Sequence, residues 1–178
     1  MPHFCMFGAT EVQLEAEPTW CVTFFGGLDL RRPPLAQLIT ARRQVERAPG
    51  KPRYHWVLTL CGGTDVRWPT LAEEYAALKN AVTAGTLSLA EWDRTVASSD
   101  VGASAGIRSF TAFGGLSADE IPTEDQEVES LSMQRHFGHI PQRAAEILML
   151  AIGQRSATRL AAVRRAVAHA LSAEAGGG

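Results

Sequence analysis

The sequence predicts an α+β protein: a short-stranded β-solenoid-like or sandwich-like sheet built from four Phe-Gly-Gly units, with inserted helices and a C-terminal helical segment. Three observations carry this. A segment recurs, since Thr23-Phe24-Phe25-Gly26-Gly27-Leu28-Asp29-Leu30-Arg31-Arg32-Pro33-Pro34-Leu35-Ala36 and Thr59-Leu60-Cys61-Gly62-Gly63-Thr64-Asp65-Val66-Arg67-Trp68-Pro69-Thr70-Leu71-Ala72 share Thr, Gly-Gly, Asp, Arg, Pro and Leu-Ala in register. After the glycines, apolar and charged residues alternate with the period of a half-buried strand. Between and beyond the copies, the apolar residues fall at helical spacing instead.

The first copy is degenerate, reading Cys5-Met6-Phe7-Gly8-Ala9-Thr10-Glu11-Val12-Gln13-Leu14, and the last is weaker, from Thr111 through Gly114-Gly115 to Pro122. The leading glycines, Gly8, Gly26, Gly62 and Gly114, are unequally spaced, so insertions separate the copies. Each copy reads as strand, bend, strand. Gly8, Gly26, Gly27, Gly62, Gly63, Gly114 and Gly115 are the expected structural turns, where a missing Cβ permits positive φ and close approach of neighbouring backbones. Leu28 and Leu30, then Thr64, Val66 and Trp68, and Thr10, Val12 and Leu14 mark a buried face. Glu11, Gln13, Asp29, Arg31, Asp65 and Arg67 mark a wet one. If the copies lie side by side, acid and arginine two residues apart pair diagonally across strands.

The helices follow in order. Leu35, Leu38, Ile39 and Val45 form an apolar stripe on a helix after Pro33-Pro34, expected over 35–48 and ending at Ala48-Pro49-Gly50. Leu71, Tyr75, Leu78 and Val82 align on the next, which Gly85 caps in left-handed geometry. Ser88 to Glu91 opens a third as a capping box, with Trp92 and Val96 turned to its partner, giving a helical hairpin over 70–98. A loop is expected from Ser98 to Gly106. Thr123-Glu124-Asp125-Gln126 opens a helix carrying Val128, Leu131 and Met133. Pro141 opens another that stops at Gly153, and Ser156 caps a last one with a Leu160, Val163, Val167 and Leu171 seam suited to helix pairing. The expected organisation is a Gly-Gly β module over 1–122 with its helical insertions, a helical segment over 123–174 and a disordered tail over 175–178.

Composition narrows the function classes. The 178 residues are 46% hydrophobic and 20% charged, enough for a globular core without disulfides. A net charge of −2 gives no general attraction to nucleic acid or anionic lipid, and Arg42, Arg43, Arg47, Arg155, Arg159, Arg164 and Arg165 read as solvated helix faces. Three cysteines in no paired spacing fit a reducing compartment. The opening MPHFCMFGATEVQLE lacks a basic leader region and no apolar run approaches a membrane span, so a soluble, cytoplasmic protein is expected.

The repeated apolar-Phe-Gly-Gly-x-acid-apolar-Arg-x-Pro unit resembles the signature of the C-terminal domain of the cell-wall-active antibiotic response (LiaF-like) proteins, a small β-solenoid-like module, over residues 5–34, 57–69 and 108–122. Residues Ala77 to Asp93 resemble a short SHOCT-like helical hairpin. These resemblances imply envelope-stress regulation for one part and protein contact for the other, neither enzymatic.

Candidate chemistry is sparse. His136 and His139 have metal-ligand spacing, but Gly138 and Pro141 break the helix that would align them, and no metal or cofactor is expected. Cys61 occupies the slot of Phe7, Phe25 and Phe113 and reads as a small buried hydrophobe; a nucleophilic arrangement with His55 and Asp65 is conceivable on paper only. The row Glu11, Asp29 and Asp65 would suit calcium less well than the adjacent arginines. The leading expectation is a protein-interaction or assembly module, self-associating by sheet-edge addition or helix pairing. The alternative is an enzyme or small-ligand binder with a pocket between the sheet and the C-terminal helices, where Arg67, Trp68, Arg135, His136 and His139 would converge.

Overall fold

The computed structural model describes residues 2–14, 19–47, 53–98, 105–153 and 159–177. The expected helix stop at 48–50 and the cap at Ser156 lie outside them. The described residues form a mixed α/β protein with two four-stranded parallel sheets and six helices. The strands are β1 (His3–Phe7), β2 (Thr10–Gln13), β3 (Trp20–Phe25), β4 (Leu28–Arg31), β5 (Arg53–Cys61), β6 (Thr64–Arg67), β7 (Ala105–Phe113) and β8 (Leu116–Glu120). The helices are α1 (Leu35–Arg47), α2 (Leu71–Thr83), α3 (Leu89–Ala97), α4 (Glu124–His136), α5 (Gln142–Gly153) and α6 (Arg159–Ala175). No helix among the described residues is long and apolar enough to cross a membrane.

Two compact units divide the chain. The first comprises Met1–Pro33, Ala41–Trp68 and Gly102–Ile121, and the second Pro34–Thr40, Pro69–Val101 and Pro122–Gly178. The segmentation at residue 122 expected from the sequence groups the helical hairpin with the strands; the compact units group it with the later helices instead. Contiguity in the chain suggested the wrong partner, because apolar stripes of helices bury one another wherever the connections allow.

In the first unit, each twin-glycine segment contributes one strand to each sheet. Odd strands pair in the order β1-β3-β5-β7 and even strands in the order β2-β4-β6-β8. Register is kept across the copies: Phe7 faces Phe25, Phe25 faces Cys61 and Cys61 faces Phe113, while Thr10, Leu28, Thr64 and Leu116 align in the other sheet. The core lies between the two sheets, where Cys21 and Val57 of the first pack with Val12, Leu14, Leu28, Leu30 and Val66 of the second, Ile107 against them. The Thr59 and Thr64 hydroxyls meet at 3.0 Å within it, so two buried polar groups satisfy each other.

The corner between the sheets explains the glycines. Gly26 and Gly62 have φ of +135° and +143°, and a Cβ on Gly62 would lie 1.9 Å from the carbonyl oxygen of Gly26. Only glycine fits there. The second residue of each pair is different: the nearest atom to a Cβ on Gly27 or Gly63 is 3.7 Å away. Gly27, Gly63 and Gly115 therefore are not required as turns in the way expected, and Ala9 fills the same place in the first copy. The expectation for Cys61 also changes. Phe7, Phe25 and Phe113 are exposed and Cys61 is half-buried, because the residue before the positive-φ glycine stands at the corner and leaves the strand alternation. Cys21 is the buried thiol, and burial raises its pKa.

Each even strand that precedes a helix ends just before proline, which has no N–H to continue a ladder and presets the turn into a helix. In the second unit, Thr70 and Thr123 close capping boxes with Glu73 and Gln126; Ser88 accepts from the Glu91 N–H. Two further caps reach between helices. The Leu35 N–H donates to Glu74 Oε2 at 2.9 Å, and the Leu71 N–H donates to Glu127 Oε2 at 2.7 Å. Both carboxylates are buried, and each answers a first-turn N–H that has no partner within its own helix.

Helix α6 packs on α2, α3 and α5, with Val163, Val167 and Leu171 buried alongside Ala166 and Ala170. The seam expected for pairing is thus filled within the unit, and the Leu160 side chain lies outside the description. Of the apolar residues carried by α4, Leu131 is buried and Met133 is exposed. Of the loop expected from Ser98 to Gly106, residues 99–104 lie outside the described residues, and Ala105 and Gly106 belong to β7, where they pair with Arg53 and Tyr54. Of the tail expected to be disordered, Ala175 belongs to α6, and the Gly176 and Gly177 N–H groups donate to the Ser172 and Glu174 carbonyls.

Candidate functional site

Strand alternation divides the first sheet into a core face and an outer face. The outer face is apolar. Phe4 and Met6 of β1, Trp20 and Phe24 of β3, Trp56, Leu58 and Leu60 of β5 and Phe110 of β7 all project from it, and Phe4, Trp20 and Phe110 are 66%, 55% and 63% exposed. Register builds this surface. Phe4, Val22, Leu58 and Phe110 form one row, and Trp20, Trp56 and Arg108 another. Parallel strands set like residues about 4.8 Å apart, so the Trp20 and Trp56 rings stack with centroids 5.5 Å apart and 11° between planes. Phe4 meets Phe24 edge-on at 5.6 Å, and at the corner Phe7 stacks on Phe25 at 5.3 Å. The Arg108 guanidinium lies 5.6 Å from the Trp56 ring centroid, a cation–π contact worth about 0.5–1 kcal/mol at an exposed site.

The outer face of the second sheet is its opposite in chemistry. Glu11, Asp29 and Asp65 align in one row and Gln13, Arg31 and Arg67 in the next. The expected diagonal pairing is present: Arg31 Nε lies 3.3 Å from Glu11 Oε1 and Arg67 Nε 3.4 Å from Asp29 Oδ1. The second of these is an ion pair without hydrogen-bond geometry, so its attraction is mainly Coulombic. Guanidiniums beside the acidic row supply the countercharge that a calcium ion would bring.

The residues expected to line a ligand pocket divide between the units. Arg67 and Trp68 belong to the first, where Arg67 faces Asp29 and Trp68 lies under the Arg32 guanidinium at 5.1 Å. Arg135, His136 and His139 belong to the second. There α4 ends at His136, Gly138 takes φ +73°, and His139 Nδ1 lies 2.9 Å from Gln134 Oε1. Phe137 separates the two imidazoles, 5.4 Å from one ring and 6.1 Å from the other. The helix that would align the two histidines thus ends before His139. No cluster of three or more metal-ligating side chains occurs among the described residues. His55 and Cys61 stand six residues apart on β5, roughly 20 Å of extended strand, with His55 in the core and Asp65 on the polar outer face. They do not form a catalytic set.

The second unit holds a cavity of about 400 Å³ between α5 and α6, lined by Ile147, Leu150, Ala151, Ala162 and Ala166 with Arg165 and His169. It contains none of the expected pocket residues. Elsewhere in this unit two polar clusters join helices. Arg164 grips both carboxylate oxygens of Asp93 at 2.6 and 3.0 Å, and that bond holds the Asp93 carboxyl below its usual value. Glu174 accepts from the Tyr75 hydroxyl and lies 2.5 Å from Lys79 Nζ.

The outer aromatic face is the feature the sequence reading missed. Its signal was the apolar residues before each glycine pair, such as Trp20-x-Val22-x-Phe24 and Trp56-x-Leu58-x-Leu60, which occupy alternate positions and so belong to the face opposite Cys21 and Val57. Compared with protein-family models, with curated proteins and with solved structures, the chain gives no match.

Proposed function

We propose that the protein is a non-enzymatic interaction and assembly module whose contact surface is the outer face of the first sheet. The observation that carries the reading is the row of exposed rings and aliphatic chains from Phe4 to Phe110. Four rings, those of Phe4, Trp20, Trp56 and Phe110, leave on the order of 400–500 Å² of apolar surface in water, at the level where a patch on a soluble protein marks an interaction site. In this reading the twin-glycine segments are successive turns of a short β-solenoid, as in the LiaF-like domain they resemble. In-register pairing of the four corners supports that view. Helices α2 and α3 with Gly85 between them are the SHOCT-like element, and the role is regulatory, in envelope stress, through protein contacts.

Lysine tolerance tests the reading. A variant carrying Leu58→Lys and Phe110→Lys is expected to keep the wild-type circular dichroism spectrum and an equal or higher Tm, since water already reaches both positions, while losing any association the wild type shows by light scattering. Unfolding of this variant would mean that the face is core and would end the proposal.

A further inference from the structure

We infer that the outer face of the first sheet pairs with the same face of a second copy of this chain, about a two-fold axis. This rests on the contact-surface reading and names the occupant. Area supports it. Adding Met6, Leu58 and Leu60 to the four rings brings the apolar surface to roughly 700 Å² per copy, close to the ~800 Å² per partner of a stable interface. Two sheet faces pack at the ~10 Å spacing usual for stacked sheets.

Charge supports it as well. Although the chain carries 17 basic and 19 acidic residues, Arg108 is the one charged side chain among those described on this face. It lies on the edge strand β7, at the end of the row that contains Trp20 and Trp56. A two-fold axis through the centre of the face sends the two guanidiniums to opposite corners, each over its own Trp56 ring. Face pairing also closes on itself at two copies.

The competing routes are weaker. Edge addition would join β8 of one copy to β2 of the next, yet β8 meets β6 with a register shift between Thr64 and Val66. An irregular edge opposes continued pairing. Helix pairing through α6 is closed because its seam is buried. A bilayer surface would gain little electrostatically from one arginine in a chain of net charge −2.

The test combines sedimentation velocity over a wide concentration range with hydroxyl-radical footprinting of the unaltered protein. A monomer–dimer equilibrium is expected, with oxidation of Trp20, Trp56 and Phe110 falling as dimer forms, and with Leu58→Lys weakening association at least tenfold. A chain that stays monomeric with these rings reactive overturns the second copy and leaves the contact-surface reading standing. A monomer with unreactive rings overturns both. A dimer in which the rings stay reactive, open-ended polymers, or co-sedimentation with phosphatidylcholine vesicles at concentrations where no dimer forms also overturns this inference.

Discussion

Gly62 packs against the carbonyl of Gly26 so closely that a methyl group on its Cα would sit 1.9 Å from that oxygen. The obstacle is backbone, held in place by the Leu28 N–H to Gly63 carbonyl hydrogen bond beside it, and it cannot swing aside as a side chain would. Gly62→Ala is therefore expected to cost about 3–5 kcal/mol, from positive-φ strain and steric overlap together. Gly63→Ala should stay within about 1 kcal/mol, as Ala9 already occupies the corresponding place. Urea denaturation of the two variants checks the contrast, and equal losses would contradict the assigned corner geometry.

Glu127 and Glu74 make a second, different prediction. Each buried carboxylate accepts the first N–H of a helix other than its own. Truncation leaves that donor without its acceptor, so Glu127→Ala and Glu74→Ala should each cost about 1.5–3 kcal/mol. Glu127→Gln retains an acceptor oxygen and should cost less. Chemical denaturation gives the order, and loss of amide-exchange protection at Leu71 in Glu127→Ala would locate the effect.

On the polar sheet, the Asp29–Arg67 pair is partly exposed, and a coupling of about 0–1 kcal/mol is expected from a double-mutant cycle with Asp29→Asn and Arg67→Gln. The coupling should shrink as salt is raised. Its small size assigns these pairs to register rather than to overall stability.

Tyr75, Lys79 and Glu174 bound stability at both ends of the pH scale. Burial by itself would raise the Glu174 carboxyl, but the hydrogen bonds from Lys79 and Tyr75 and the Lys79 charge outweigh it and leave the pKa below its ordinary value. Burial first, then the bond to Glu174 and its negative charge, raise the Tyr75 phenol. A depressed carboxyl contributes stability above its unfolded pKa of about 4.3 and loses it as pH falls through the folded value. A raised phenol contributes stability below about pH 10 and loses it as pH rises toward its folded value. Urea midpoints across pH should therefore be flat from about pH 5 to 9 for this cluster's share. Tyr75→Phe should reduce the alkaline decline, and Glu174→Gln the acidic one.

Local rules explain why much of the fold was legible. Proline followed by threonine marked the starts of α2 and α4, Gly85 marked the end of α2, and the Leu28-Asp29-Leu30-Arg31 alternation gave both the buried face and the diagonal ion pairs. Each depends on residues within a few positions of one another, or on a period that survives in any packing. The second glycines were over-read because Gly-Gly is one signal in sequence but two environments in space, only one of them crowded by a neighbouring carbonyl.

By itself the sequence determined the strand-corner-strand units and the starts of α2, α3 and α4, since these follow from short-range sterics, capping and periodicity. The tertiary structure decided which faces met. Once Cys21, Val57 and their neighbours turned toward the second sheet, the alternate residues Trp20, Trp56, Leu58 and Phe110 had to point the other way, and the aromatic surface exists because a strand has two sides and one core covers a single side.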